Sequence, residues 1–432
     1  MFALKNLEIN SNNHLVIGGC DATELAKEYG TPLYVMDEIQ LRSNMRSYKN
    51  AIDTYYNGKG MALYASKALS AIGMYKIVAE EGLGVDVVSG GELYTALKAG
   101  FNPQNICFHG NNKSYDELVM AVTENVGIIV ADSNLELDML NSIGKEQGKT
   151  VKVMFRIKPG VEAHTHEFIS TGQIDSKFGF SIENGEADQI AKYASKLENI
   201  EVIGIHCHIG SQIFELEPFE LAAEVMTEYY IRLKKEFGLP LTTLDLGGGF
   251  GISYVQSDKP IEYGKYIEAV SKVVKSICAY SNEALPQILM EPGRSIVGDA
   301  GITLYTIGNI KDIKDVRKYV SVDGGMGDNP RYILYGAQYD GILANRATDT
   351  PEEYVTVCGK CCESGDIIIK DAHLPKANTG DILAVMSTGA YNYSVASNYN
   401  RIPRPALVLA GNGTSRVIVK RETYEDLIRN DM

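Results

Sequence analysis

Lys67 closes a short apolar run, MALYAS at 61–66, and a helical stretch follows it. A lysine carried to the C-terminal end of a buried strand stands half out of water, and desolvation lowers its pKa and makes its amine a usable nucleophile. Taken alone, Lys67 reads better as an ordinary strand-end lysine, because lysine is seldom buried. Its candidate partners lie far along the chain. The run LGGGFG at 246–251 offers backbone N–H groups that can approach an anion closely, and Ser211 offers a hydroxyl to the same anion. His206 and His208 form an H-x-H, which puts both imidazoles on one side of a strand. Glu291 opens the sequence EPGR at 291–294. An amine for an imine, an anion pocket for a phosphate, a flat imidazole for a ring and a carboxylate for a pyridine nitrogen together describe pyridoxal 5′-phosphate. A carboxylate keeps such a nitrogen protonated, so the ring accepts the electrons released when a bond at Cα breaks, which suits decarboxylation.

H-x-H is also a metal-site spacing, and His164 and His166 repeat it, so a barrel metallohydrolase is the rival. A carboxylate or third histidine to close that site is not evident on neighbouring strand ends, so no metal is expected. Asp86 either orients groups near the cofactor or caps the following turn, and Arg156 either reaches the ring hydroxyl through a neighbour or pairs within the scaffold. Lys177 reads as a positioning or surface residue rather than a second imine-forming lysine.

The elements that must bring these residues together show a regular rhythm. Short β-branched runs at 61–66, 84–88, 106–109, 126–130, 151–157, 202–208, 242–246 and 288–291 alternate with helical stretches such as 89–99 and 219–236. Eight strand–helix units fit a TIM-type (β/α)₈ barrel better than an open doubly wound sheet, and a barrel collects strand ends on one rim. Beyond 297 strands follow one another without helices, at 302–307, 318–322, 353–357, 366–370, 382–386 and 405–409. The expected organisation is therefore a barrel over 37–289 and an antiparallel β domain built from 1–36 and 290–432, the N-terminal strand from Pro32 joining the latter.

Composition narrows the partners. With 41 basic against 55 acidic residues the net charge is −14, which argues against nucleic acid or an anionic membrane. The start MFALKNLEIN has no signal-peptide pattern and no apolar run reaches membrane-spanning length. Seven irregularly spaced cysteines fit reduced thiols, so a cytoplasmic protein is expected.

Seven motifs, in order, carry a resemblance: YASKA at 64–68, GVDVVSGGE at 84–92, HIGSQI at 208–213, GGGFG at 247–251, EPGRSIV at 291–297, CESGD at 362–366 and GAYNYSVASNYN at 389–400. The chain resembles the alanine-racemase-like, barrel-type pyridoxal phosphate decarboxylases and, among them, the diaminopimelate decarboxylase family. The likeness covers nearly the whole chain. It implies a head-to-tail homodimer in which CESGD from the other subunit completes each active site. The implied reaction converts meso-2,6-diaminopimelate, at its D-configured centre, to L-lysine and carbon dioxide, the last step of lysine biosynthesis. Lys67 would carry the cofactor, His208 would lie on its ring, and Ser211, Gly248 and Tyr391 would hold the phosphate with backbone groups of the 291–294 turn, Gly293 and Arg294 among them. Asp86 and Glu291 would face the cofactor, Cys362 would be the proton donor, and Arg294, Arg331, Tyr335, Glu363 and Tyr391 would grip the substrate.

The chemistry of that grip agrees with the substrate. Diaminopimelate has an amino-acid group at each end, so its distal end needs cations for a carboxylate and an anion for an ammonium; Arg294 with Arg331, and Glu363, supply them. A decarboxylase of ornithine, lysine or arginine, the nearest alternative, needs no arginine pair there. A barrel metallohydrolase is the alternative of a different class, and the long β domain argues against a single-barrel, non-catalytic cofactor carrier. Two features depart from the family pattern. Tyr332 follows Arg331 where a proline is usual, and Cys358 with Cys361 forms a C-x-x-C beside Cys362, open to zinc or redox use or to plain burial in a strand.

Overall fold

The computed structural model describes residues 4, 6–161 and 176–432, so His164 and His166 lie outside the described residues. The chain divides into two compact units, one comprising Met45–Gly251 and Pro260–Gly293, the other Met1–Asn44, Ile252–Lys259 and Arg294–Met432. The edges expected at 37 and 290 differ from these, and the short segment Ile252–Lys259 belongs with the β unit.

In the first unit eight parallel strands close into a barrel: β1 (Gly60–Ala65), β2 (Gly84–Val87), β3 (Ile106–Phe108), β4 (Ile128–Ala131), β5 (Val151–Lys158), β6 (Ile200–His206), β7 (Thr243–Asp245) and β8 (Gln287–Met290). Closure is made by β8 on β1, with Leu289 opposite Met61, and by β4 on β5, with Val130 opposite Met154. Helices follow β1 to β7 in turn, as the alternating pattern requires. Their starts are set by sequence. Ser89, Ser114 and Ser133 each accept a backbone N–H in the first turn, and Ser114 with Glu117 makes a reciprocal capping box; each such cap contributes about 1 kcal/mol.

The barrel interior carries a layer of Leu63, Cys107, Val130, Met154, Ile203 and Leu289, all buried. Strand side chains alternate with period two, so the next inward positions are His109 after Cys107, Arg156 after Met154 and Glu291 after Leu289. The apolar floor therefore gives way to a polar layer at the C-terminal ends. The loop beyond β3 is braced by Lys113, whose Nζ donates to the Gly110 and Val130 carbonyls at 2.8 Å and to Glu136 Oε1 at 2.7 Å. All three ammonium protons are thus used, the condition under which a buried cation is tolerable.

The second unit is a sheet in which Leu33–Asp37 lies between Gly301–Ile313 and Ala406–Gly411, so the N-terminal strand joins the C-terminal ones. The sheet is mixed rather than wholly antiparallel. Leu33–Asp37 runs parallel to Ala406–Gly411, and Arg317–Val322 parallel to Glu353–Cys358. Hairpins force antiparallel pairing, whereas these neighbours are joined by long connections that leave direction free.

Asp328 is buried in this unit, accepting from the Tyr305 hydroxyl and, at 2.8 Å, from the Gly325 N–H. Burial pushes its carboxyl up from 3.8 to about 7 against those two donors. A raised folded-state pKa means that stability from the neutral acid is complete below the unfolded value and drains away as pH rises through about 7. Asp328→Asn should flatten the fall in thermal stability between about pH 4 and 7, a difference of at most about 4 kcal/mol. An unchanged slope in a pH series of melting curves would count against the assignment.

Candidate active site

Lys67 sits not on β1 itself but on a single 3₁₀ turn, Ser66–Ala68, immediately after it. Its neighbours Ser66 and Ala68 are buried while Lys67 is exposed, so the turn anchors the backbone and leaves the amine accessible. Its positive charge acts on Asp86, Glu92 and His208, which places these groups around it.

The glycine run after β7 is dictated by close approach. A Cβ on Gly248 would stand 2.0 Å from the Glu291 carbonyl oxygen, and one on Gly247 2.4 Å from that of Cys207. The loop is pinned on both sides: Glu291 N–H donates to the Gly247 carbonyl at 2.7 Å, and Ile213 N–H to that of Gly249 at 3.0 Å. Phe250 anchors it in an aromatic cluster, stacked on Phe219 at 5.2 Å and close to Tyr48 and Tyr266, while the Tyr266 hydroxyl donates to the Ile213 carbonyl. The HIGSQI loop with Ser211 is thereby held against the glycines. Gly248→Ala is expected to force the Glu291 backbone aside, costing about 1–3 kcal/mol; melting curves check it. Gly293 is restricted in the same way, since its Cβ would meet the Ala65 Cβ at 2.9 Å.

His208, half-buried, accepts the Gly248 N–H at Nδ1 at 3.3 Å, so its hydrogen is on Nε2. Burial, then the Lys67 and Arg156 cations, hold its imidazole well below its ordinary pKa and therefore neutral. Deeper in the barrel, Glu291 is clasped by two imidazoles: His109 Nε2 lies 2.7 Å from Oε1 and His206 Nε2 3.2 Å from Oε2. Burial alone would raise this carboxyl, but His109 and His206 hold it well below the usual range, so Glu291 is ionised. Asp245, whose Oδ1 accepts the Gly247 N–H at 2.9 Å, is pushed well up by burial and by the Glu291 charge. Asp86 rises to about 6, burial outweighing the attraction of His109. Arg156 stacks on Phe178, 4.2 Å from the ring centroid, and Lys177 lies over the other reach of the same ring at 5.0 Å.

The β unit holds a second constellation. Arg294 donates to the Tyr254 hydroxyl, with its guanidinium 4.8 Å from the Tyr391 ring centroid. Arg331 lies 4.6 Å from the Tyr254 ring and donates to the Tyr339 hydroxyl at 2.8 Å. One tyrosine therefore meets both guanidiniums. Tyr391 adopts a left-handed φ of 57°, uncommon for an aromatic residue, beside the fully buried Asn392. Despite Tyr332, Arg331–Tyr335 forms a short helix with Pro330 as N-cap and Gly336 as left-handed C-cap. Tyr335 is exposed at its end, and Cys362 and Glu363 occupy an exposed turn on which the Cys362 N–H donates to Asn400 Oδ1 at 2.7 Å. These three residues are not gathered with the arginines by any contact among the described residues. Cys358 lies 3.5 Å from Ser321 Oγ, and burial raises the Cys361 thiol to about 11.

Residues 38–298 match the family described as pyridoxal-dependent decarboxylase, pyridoxal binding domain. The chain belongs to the pyridoxal-dependent decarboxylases. Among its relatives are the diaminopimelate decarboxylases of Bacillus subtilis, 49% identical over 98% of this chain and 96% of that one, and of Bacillus methanolicus, 51% identical over 96% of each. Among solved structures it is similar to diaminopimelate decarboxylase from M. jannaschii in co-complex with L-lysine, with a TM-score of 0.92, 36% identity, and coverage of 100% of this chain and 99% of that one.

The residues of this decarboxylase fit its cofactor. The cradle that a Cβ would fill, the neutral imidazole of His208, the ionised carboxylate and the accessible amine are each of a kind that one part of pyridoxal phosphate needs. Sequence reasoning missed His109, the role of Asp245, and Tyr254 with Tyr339. His109 had a usable signal, since it ends the expected strand at 106–109; the tyrosines had none. The structure also corrects one argument against the metal alternative. Carboxylates and a further histidine are present after all: Cys107, His109, Asp245 and Glu291 bring ligand atoms within 4.8 Å of one another. Within that set His109 Nε2 lies 2.7 Å from Glu291 Oε1.

Proposed function

We propose that this decarboxylase converts meso-2,6-diaminopimelate to L-lysine and carbon dioxide, acting on the D-configured centre at the last step of lysine biosynthesis. The observation that carries the reading is the pair of buried guanidiniums, Arg294 and Arg331, held on Tyr254. Among the described residues no carboxylate pairs with Arg331, and a buried cation kept without one is costly unless a ligand supplies it. A distal substrate carboxylate is such a ligand, and ornithine or lysine has none. The names of the relatives at 49% and 51% identity support the same substrate.

When bound, pyridoxal phosphate supplies a carbonyl for an imine and a ring that takes up the electron pair left as the Cα–carboxylate bond breaks. Lys67 supplies the amine. The 247–249 backbone, Ser211, Gly293, Arg294 and Tyr391 bind the phosphate, and His208, its Nδ1 fixed by the Gly248 N–H, lies against the ring. Glu291 keeps a proton at the ring nitrogen, and Asp86 balances the charge near Lys67. Arg294 and Arg331 clamp the distal carboxylate with Tyr335 and Tyr391, Glu363 takes the distal ammonium, and Cys362 returns a proton to the α-carbon.

Cys362 and Glu363 act in this reading from the second subunit of a homodimer. Their exposure on a single chain supports it. Lys67→Ala and Cys362→Ala proteins, each inactive or slow alone, should regain activity when mixed and allowed to exchange subunits; no recovery would overturn shared sites. A cytoplasmic location fits seven free cysteines and the absence of a helix long and apolar enough to cross a membrane among the described residues. The substrate is tested by carbon dioxide release, which should be greatest from meso-diaminopimelate; comparable release from ornithine would sink the arginine argument. Borohydride reduction followed by peptide mapping should place the cofactor on Lys67.

A further inference from the structure

We propose that His109 and His206 are positioning residues for this reaction, gripping one oxygen each of Glu291 so that an ionised, oriented carboxylate meets the cofactor's ring nitrogen. The inference rests on the cofactor reading above and concerns groups outside the family motifs, His109 on the β3 end and His206 on β6.

The geometry makes the grip two-sided. The contacts are a hydrogen bond of 3.2 Å between His206 Nε2 and Oε2 and a 2.7 Å approach of His109 Nε2 to Oε1 that lacks hydrogen-bond alignment, and the two rings meet edge to face with centroids 4.7 Å apart. A carboxylate held at both oxygens by groups on different strands cannot rotate about its last torsion without losing one of them. Each oxygen still has a second lone pair, so the clasp leaves an acceptor free for the ring nitrogen. Both histidines and Glu291 are buried, and His109 is fixed from behind by the Lys113 brace on the following loop.

Charge bookkeeping in the cluster points the same way. Three carboxylates, Asp86, Asp245 and Glu291, converge in one buried layer, and like charges so close cannot all ionise. Both histidines sit closest to Glu291, His109 standing 3.9 Å from Asp86, while Asp245, held by the Gly247 N–H and facing the Glu291 charge, is pushed up by burial and keeps its proton. Burial lowers the His206 pKa to about 4, so that ring is a neutral donor through Nε2, and its Nδ1 has no hydrogen-bond partner among the described residues. The cluster thereby keeps Glu291, the carboxylate that faces the cofactor, ionised while Asp245 beside it stays neutral. Lys67, Arg156, His208, Glu92, Asp132, Lys113 and Cys107 are further titratable or charged groups coupled to this cluster, and Arg156 and Lys67 act on the imidazoles rather than replacing them at Glu291.

The test uses the intact protein loaded with ¹⁵N-labelled pyridoxal phosphate and reads the ring-nitrogen resonance as a function of pH. In His109→Phe and in His206→Phe the midpoint for loss of the ring proton should fall by about 1–3 pH units, the size of a lost favourable charge arrangement. His109→Gln, which keeps a donor to Oε1, should restore most of that shift. Should His109→Phe fail to fold, His109→Leu, which also lacks a donor, is read in its place. A midpoint unchanged from wild type in a folded, loaded variant overturns the inference. A folded variant that cannot hold the cofactor also overturns it, because the histidines are assigned to the ring proton and not to retention. Failure of the wild-type protein to take up the cofactor on Lys67 would instead overturn the cofactor reading itself.

Discussion

Lys67→Ala protein is expected to fold normally and to lose at least about 10³-fold in kcat, the scale of removing a group that acts on the reacting atoms. Its stability should stay within about 0.5 kcal/mol of wild type, because the side chain is exposed while Ser66 and Ala68 carry the packing of the turn. Borohydride should then leave no label on the 3₁₀ turn. Lys67→Arg separates the two things this residue does. It retains the positive charge felt by Asp86, Glu92 and His208 but cannot form an imine. Both variants should therefore be equally inactive if nucleophilicity is what matters. An active Lys67→Arg enzyme would reduce Lys67 to an electrostatic partner and move the covalent step elsewhere.

The pattern that makes Lys67 interpretable is a property of the barrel. Its partners are on β6, β7 and β8, more than a hundred residues away, and only closure of β8 on β1 brings those ends beside it. That closure was legible because the βα units repeat the same local signals, a short apolar run and an amphipathic helix, with a serine cap after β2, β3 and β4. The glycine run was legible for a related reason, since three consecutive glycines mark a backbone approached from both sides, and the 2.0 Å clearance at Gly248 is that approach. What stayed hidden depends on pairing between distant segments. The mixed character of the second sheet follows from connections whose direction no local signal fixes. The His109–Glu291–His206 clasp needs three strands in register, and neither histidine is next to a motif that names its partner. Tyr254 is the extreme case: it lies on the eight-residue segment Ile252–Lys259 that leaves the barrel unit, so no strand or helix periodicity marked it.

Arg331→Met should separate substrate recognition from chemistry. The guanidinium is buried between the Tyr254 and Tyr339 rings with one hydroxyl partner at 2.8 Å, so its five donors are far from used up by the protein. If a distal carboxylate is the missing partner, truncation leaves that anion desolvated and unpaired, a loss of about 2–5 kcal/mol. For diaminopimelate, kcat/KM should then fall by about 10²–10³-fold, chiefly through KM, because the contact is remote from the breaking bond and is made in ground and transition states alike. Any weak activity on L- or D-lysine should change little, so the preference between substrates narrows by nearly the whole loss. Stability gives an independent sign. Removing a buried cation with no paired carboxylate is expected to leave the melting temperature of the ligand-free protein level or slightly higher, since the desolvation cost goes with it. Arg331→Lys should recover only part of the affinity, as an ammonium supplies charge but not the planar fork that matches a carboxylate. An equal fall for diaminopimelate and lysine, with a lowered melting temperature, would make Arg331 a packing residue and leave substrate choice to Arg294 and Glu363.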